Sequence, residues 1–388
     1  MYKLNNQQQN ELLELLCALI RHKSENPPGE EQQVAEFIYR YFKQENIDVE
    51  MQEVAPGRPN VIAYLKGRGR GKGKHLLFNG HIDVVPCGCG WSTEPFEPVI
   101  KDGKVFGRGA ADMKSGVAAM MYAATLLKRN QDTFLGDLTL VFNVDEERIN
   151  LGMLHYIKDG ISADYAVIGE PTSLDVCIAH KGVSRYNLST KGTAGHAAKT
   201  RYPDSAISKM AKILPALERH RASVEKIDHQ LLGNASMIIT TINGGTAPNI
   251  VPQHCDIEID RRLVPGEDKH EVEQRIHQAI AEYNQGEEIE YHLDNYLFIP
   301  ASDISVDHEL TQVALATVSR FTEKTAEPQI FEATCEAPFF SVTSNIPTLI
   351  MGPGGLAQAH VKDEFVEISE LHLAAEIYYD MANSLLNK

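Results

Sequence analysis

H-L-L-F-N-G-H-I-D-V-V-P, residues His75 to Pro86, is the stretch on which the reading of this chain turns. Leu76, Leu77 and Phe78 form a short apolar run that Gly80 ends, the pattern of a buried strand. His81 and Asp83 come next, two apart, so on extended backbone their side chains point the same way. That suits a metal-binding imidazole beside a carboxylate that fixes its ring. Alone, H-x-D is common and fits a hydrogen-bonded histidine at a strand end better. The residues downstream change the odds.

Working outward, other apolar runs end in the same manner. Leu138 to Val144 finishes in Asp145-Glu146-Glu147, and Tyr165 to Ile168 finishes in Gly169-Glu170-Pro171-Thr172. In open α/β sheets, ligands bind outside the carboxyl ends of the strands, so His81, Asp83, Glu146, Glu147 and Glu170 can meet in one crevice. Asp112, in G-R-G-A-A-D-M-K-S-G, stands at the start of a helix whose apolar face is Val117, Met120, Met121, Ala124 and Leu127. Taken singly, Asp112 is a helix cap and the glutamates are solvated loop residues. Together, so many carboxylates repel one another unless cations neutralise them, and the sequence asks for metal. A mixed His/carboxylate set suits zinc, cobalt or manganese. Late in the chain P-T-L-I-M-G-P-G-G leads to Ala357-Gln358-Ala359-His360, again a strand ending in a Gly/Pro-rich turn. His360 is the natural candidate to complete the metal shell.

At 388 residues and 43% hydrophobic, the chain is long enough for two domains. Its formal charge of −16 argues against a nucleic-acid or anionic-membrane partner. No apolar stretch approaches a membrane span. Leu12 to Ile20, interrupted by Glu14 and lacking a basic lead-in, reads as an amphipathic helix and not a signal peptide. The six cysteines are scattered, which favours reduced thiols in a cytoplasmic protein. Cys87 and Cys89 flank one glycine, with no second pair to complete a metal site.

Helix spacing in Val34, Phe37, Ile38, Tyr41 and Phe42 comes after the break at Asn26-Pro27-Pro28. Val61 to Leu65 reads as a strand, and G-R-G-R-G-K-G (Gly67 to Gly73) as a solvated hairpin turn to the next. A phosphate loop there would open a helix, whereas a strand comes next. From about Lys181 the pattern changes. Strands are expected at Tyr186–Thr190, Met237–Ile242, Cys255–Leu263 and Ile289–Leu293, with helices at Ala206–Leu217 and Lys269–Tyr283. That β-α-β-β-α-β order is the ferredoxin-like unit. We read it as an insertion at 181–294, with 1–180 and 295–388 forming one discontinuous domain that a helix, Leu310–Phe321, resumes.

G-H-I-D-V-V-P, G-R-G-A-A-D-M-K-S-G, D-E-E, I-G-E-P-T-S, G-G-T-A-P-N, D-R-R-L-V-P-G and A-Q-A-H together resemble the M20 family of dinuclear metallo-aminoacylases and peptidases, over nearly the whole chain. I-G-E-P-T-S-L, A-H-K-G at Ala179 and T-C-E-A-P-F at Thr334 are more similar to the acetylornithine deacetylases than to the succinyl-diaminopimelate desuccinylases. The resemblance implies an α/β fold: a catalytic domain with a central mixed β-sheet flanked by helices, plus the inserted ferredoxin-like α+β lid and dimerisation domain. It implies two divalent ions, Zn2+ or Co2+. His81 and Glu170 would bind one, Glu147 and His360 the other, and Asp112 would bridge them. Glu146 would be the general base and Asp83 would orient His81. His196, in G-T-A-G-H-A, would reach the scissile carbonyl from a partner subunit of a homodimer. Asn249 and Arg262 would hold the substrate's carboxylate end; as ordinary residues they are a turn residue and a surface ion-pair arginine.

The implied reaction is metal-dependent removal of the acyl group from an N-acyl amino acid or short peptide. A dipeptidase or aminopeptidase uses the same centre and differs only in its pocket. A non-catalytic binding protein on the same fold would not need the base, yet every ligand and the base are present. A nucleophilic serine hydrolase lacks its G-x-S-x-G elbow here. Two features depart from the family pattern: Arg148-Ile149-Asn150 precede Leu151-Gly152 after the glutamate pair, and Cys87-Gly88-Cys89 lies beside the metal loop. Both border the substrate pocket and bear on the substrate, not on the chemistry.

Overall fold

Alternation within the apolar runs decides which way each side chain packs. Leu76 and Phe78 enter one core with Leu138, Leu140, Phe142, Tyr165 and Val167, while Leu77 enters a second with Val141, Ala166 and Ile168. A sheet buried on both faces reads in sequence as a continuous apolar run, which is the pattern of parallel strands between helices. The computed structural model describes residues 1–69, 72–130, 134–199 and 204–387. The chain forms two compact units, Met1–Ala179 with Asp303–Lys388, and His180–Ser302.

The first unit is built on a mixed sheet. From one edge its strands run Asp48–Ala55, Arg58–Leu65, Asp137–Asn143, His75–His81, Tyr165–Ile168, Thr348–Ile350 and Cys177–His180. His75–His81 is parallel to both its neighbours, with His81 opposite Asn143 and Asn79 opposite Ile168, and Thr348–Ile350 continues parallel to Tyr165–Ile168. Arg58–Leu65 is antiparallel to Asp137–Asn143. The larger core lies under helices Asn6–Arg21, Gln32–Gln44, Lys114–Arg129, Glu309–Thr322 and Ile368–Leu386. Asn5 caps the first of these reciprocally with Gln8. Among the described residues, no helix is long and apolar enough to cross a membrane.

The glycine-rich linker is not a hairpin turn. The strands it joins, Arg58–Leu65 and His75–His81, are separated in the sheet by Asp137–Asn143. The linker crosses over that strand's start: Gly67 N–H donates to Asp137 Oδ1 at 3.0 Å, Arg68 N–H to the Phe134 carbonyl at 3.2 Å and Gly69 N–H to the Leu135 carbonyl at 2.9 Å. Arg70 and Gly71 of this linker lie outside the described residues. A turn reading from composition alone has no means of seeing a third strand slotted between two consecutive ones.

The second unit is a four-stranded antiparallel sheet, ordered Ser236–Gly244, His254–Leu263, Gly182–Lys191, His292–Ile299. Helices Ala206–Val224 and Lys269–Tyr283 carry buried Met210, Ile213, Leu217, Val272, Ile276 and Ile280, and the strands carry buried Tyr186, Leu188, Ile257 and Ile259. This is the ferredoxin-like order. Its last strand sits later than the expected Ile289–Leu293. The pairing with Gly182–Lys191 runs from His292 to Ile299, with a bulge between Asn295 and Leu297 that breaks the alternation a sequence reading relies on.

Candidate metal centre

Each strand of the parallel set ends by presenting a polar group at the same edge. His81 is the last residue of its strand, Glu146 and Glu147 come after Asn143, Glu170 after Ile168, and His360 after Ile350 by a longer turn. Asp112 precedes the helix Lys114–Arg129, but it makes no capping bond there. Its carboxylate instead sits between two imidazoles. Oδ1 lies 3.1 Å from His81 Nε2 and Oδ2 lies 3.2 Å from His360 Nε2. Glu147 is 3.1 Å from the same His360 nitrogen, and Glu170 is 3.8 Å from His81 Nε2. His81, Asp112 and Glu147 each offer one ligand atom within 4.8 Å of the others, and so do Glu146, Glu170 and Glu336.

The His81 ring is preset. Its Nδ1 lies 2.9 Å from the Asp83 carbonyl oxygen. A carbonyl only accepts, so Nδ1 carries a hydrogen, and Nε2 is the ring nitrogen that faces Asp112 and would be the one offered to a metal. The backbone carbonyl of Asp83 thus does the orienting expected of its carboxylate, whose Oδ1 is 3.7 Å away. That carboxylate is fully buried and accepts from the backbone N–H groups of Glu146 and Glu147 at 3.1 and 3.2 Å, and from Asn26 Nδ2 at 2.9 Å. Asp83 therefore fixes the glutamate pair as well as the histidine.

Three further residues hold this geometry and carry no motif of their own. Glu364 accepts from the N–H groups of Gly109, Ala111 and Asp112 and from Arg108 Nη1, at 2.7 to 3.0 Å, pinning the loop that delivers Asp112. Arg58 binds Glu31 and, at 2.8 Å, Asp145. Asn26 donates to both Asp83 and Asp145. Glu336, the other carboxylate beside Glu146 and Glu170, is legible in sequence only as a charge inside an apolar stretch, Phe331 to Phe340. Its motif, T-C-E-A-P-F, speaks there to substrate likeness alone.

The electrostatics are those of a site short of positive charge. Burial pushes Glu146 well above the usual carboxylate range; His81 opposes this, while Glu336, Glu170 and Glu147 add to it. Burial and Asp112 likewise push Glu170 well up. Burial alone would lower the His81 imidazole, yet its bond to Asp112 and the charges of Glu170 and Glu146 hold it well above 6.5. His360 is pushed up to about 10 by its bonds to Asp112 and Glu147. Carboxylate oxygens with two imidazole nitrogens are donors for a borderline divalent ion, and these residues fit a pair of them.

The remaining expected residues lie in the second unit. His196 is exposed, forms a bridge with Ile250, and accepts the Ala198 N–H at Nδ1. The Asn249 carbonyl accepts the Ala197 N–H at 3.0 Å, so Asn249 and His196 share one pair of loops. Those loops lie beyond the Gly244–Cys255 end of the sheet. Arg262 pairs with Ser236 and Val183 at the opposite end, where the chain enters at Gly182, and forms an ion pair with Asp260 at 2.8 Å. At about 3.3 Å per residue along the strand, Arg262 stands roughly 25 Å from the other two.

Residues 77–384 match the profile described as Peptidase family M20/M25/M40. The chain is 31% identical over 350 residues to an acetylornithine deacetylase of Vibrio campbellii, covering 86% of each chain. It is 26% identical over 401 residues to an N-formyl-4-amino-5-aminomethyl-2-methylpyrimidine deformylase of Bacillus subtilis, covering 95% of this chain and 93% of the relative. Among solved structures, an M20 family metallo-carboxypeptidase of Sulfolobus solfataricus superposes with a TM-score of 0.79 at 18% identity, over 97% of this chain and 99% of that one.

Proposed function

The chain belongs to the M20/M25/M40 peptidase family, a metallo-hydrolase acting on amide bonds, and from that premise we propose that it removes a small acyl group from an N-acyl amino acid, in the manner of acetylornithine deacetylase. The observation that carries this reading is Asp112, with one carboxylate oxygen against each of two imidazoles. His81, Asp112 and Glu170 would hold one divalent ion, and Asp112, Glu147 and His360 the other, zinc or cobalt in each. Two such ions would supply Lewis acidity to an amide carbonyl and lower the pKa of a water nucleophile towards about 7.

Everything else falls to the chain. Glu146, raised in pKa and left out of the two ligand sets, takes a proton from water and returns it to the leaving amine. Asp83 holds Glu146 and Glu147 in adjacent places with separate tasks. His196 would donate to the developing oxyanion, an interaction worth about 3 kcal/mol. Arg262 and Asn249 would hold the substrate's carboxylate. Their separation within one unit supports a homodimer, in which the lid unit 181–294 of one copy supplies His196 and Asn249 and that of the other copy supplies Arg262.

A second reading is favoured by one observation: the deformylase relative aligns over more of this chain than the deacetylase does. Both names describe release of a one- or two-carbon acyl group from nitrogen. The test is a panel assayed with zinc or cobalt restored: N-acetylated and N-formylated amino acids, an N-formyl aminomethylpyrimidine, and unblocked dipeptides. The proposal expects highest kcat/KM on an N-acetyl amino acid with a free carboxylate. Preference for the formylpyrimidine transfers the assignment to the second reading, and preference for dipeptides refutes both.

A further inference from the structure

Glu146, Glu170 and Glu336 form an all-carboxylate cluster, each with an oxygen within 4.8 Å of the others; His81 touches only its edge, with Nε2 3.8 Å from Glu170. Oxygens bound to one ion at about 2.1–2.4 Å lie at most about 4.8 Å apart, so a single cation fits among them. Glu336 supplies an independent sign that something belongs there. It is wholly buried. One of its oxygens accepts from Asn143 Nδ2 at 2.9 Å, and the other has no hydrogen-bond partner. A buried carboxylate left half-satisfied is costly unless positive charge reaches it. The two ligand sets proposed above leave Glu336 unused. Glu170 has a second oxygen to give, and Glu146 is partly exposed, which leaves the cluster open on that side.

We propose that Glu146, Glu170 and Glu336 form a third divalent-cation site that inhibits the enzyme when filled. Three carboxylates and no nitrogen favour a hard, oxygen-seeking ion of the Mn2+ class over zinc. An ion held there occupies the carboxylate lone pairs with which Glu146 would take up a proton, so hydrolysis stops although both ions of the catalytic pair remain. The inhibitory half of the proposal rests on the reading of Glu146 as the base; the site itself does not.

Zinc-loaded protein, freed of excess metal, is titrated with Mn2+. Zinc outranks manganese at ligand sets that include imidazole, so manganese does not displace it. Bound Mn2+ is counted by the loss of the free-ion electron paramagnetic resonance signal, and hydrolysis is measured in the same samples. Wild type is expected to bind one Mn2+ per chain beyond its zinc and to lose at least tenfold in turnover as that ion binds. Glu336→Gln is expected to keep its zinc and its unfolding temperature, to bind Mn2+ at least tenfold more weakly, and to need at least tenfold more Mn2+ to lose half of the turnover it shows without that ion. Glu336→Asp, which keeps the charge but withdraws it, is expected to fall between, and it replaces the Gln variant if that one fails to fold. No Mn2+ bound by zinc-loaded wild type, or equal binding by wild type and both variants, overturns the site. Binding that depends on Glu336 but leaves turnover unchanged upholds the site, overturns the inhibition, and counts against Glu146 as the base.

Discussion

One buried aspartate, Asp83, fixes two adjacent glutamates for which we propose different work. Asp83 holds both backbone amides, and the two side chains keep different company, Glu147 with His81 and Asp112 and Glu146 with Glu170 and Glu336. Glu146→Ala is expected to keep both metal ions and lose several orders of magnitude in turnover; Glu147→Ala is expected to lose metal first. Metal analysis beside kcat decides, and near-normal turnover of Glu146→Ala would sink the base assignment. Further from the chemistry, His180 is fully buried with Nδ1 against the Lys181 carbonyl and Nε2 unpartnered, and burial lowers its pKa to about 4. The fold holds it neutral, so between pH 6.5 and 4 the unfolded chain binds the extra proton and stability falls as pH falls. From pH 7 to 4 this amounts to about 3 kcal/mol, at about 1.4 kcal/mol per pH unit. Denaturant unfolding of metal-free protein should show that loss shrink by about this amount in His180→Gln; an unchanged acid limb refutes it.

The helix Lys114–Arg129 and the strand Tyr165–Ile168 meet through two glycines. A Cβ built on Gly116 would stand 2.0 Å from the Gly169 carbonyl oxygen, one residue before Glu170. That close approach sets how near Asp112, just ahead of the helix, comes to Glu170. Gly116→Ala is expected to push the two apart, costing about 1–3 kcal/mol as overpacking does and weakening metal binding by at least tenfold. Calorimetry and metal titration check it, and unaltered affinity would separate the contact from the site. At this scale the sequence is readable where one periodicity holds. Lys269–Tyr283 runs from a capping Asp268 through Val272, Ile276 and Ile280 and shows a plain stripe. The helix Ile368–Leu386 does not, because Ile377, Tyr378, Met381 and Leu385 are buried together with Glu376 and Asp380 all round it. The loop carrying Asp112 shows itself through its motif, but its clamp does not: Glu364 lies far along the chain, and a lone glutamate before a phenylalanine gives no local sign of three backbone partners.

For the molecule as a whole, the sharpest expectation concerns a second copy. His196→Ala and Glu146→Ala should each be nearly inactive alone. Refolded together, they should regain activity, because one site of the mixed dimer combines an intact Glu146 with an incoming His196. If mixed dimers form and stay inactive, His196 does not act across an interface. The convergence of strand ends is legible because His81, Glu147 and Glu170 each come after an apolar run. The slotting of Asp137–Asn143 between two earlier strands is not, since nothing in Gly67 to Gly73 records what it crosses. That insertion bears on how the protein is made. As the chain leaves the ribosome, Arg58–Leu65 and His75–His81 emerge with no hydrogen bonds to each other, and both wait for residues 137–143 to bridge them. The centre waits longer still, because Asp112, Glu147 and Glu170 all emerge well before His360, the last of the imidazoles that would share the ions with them.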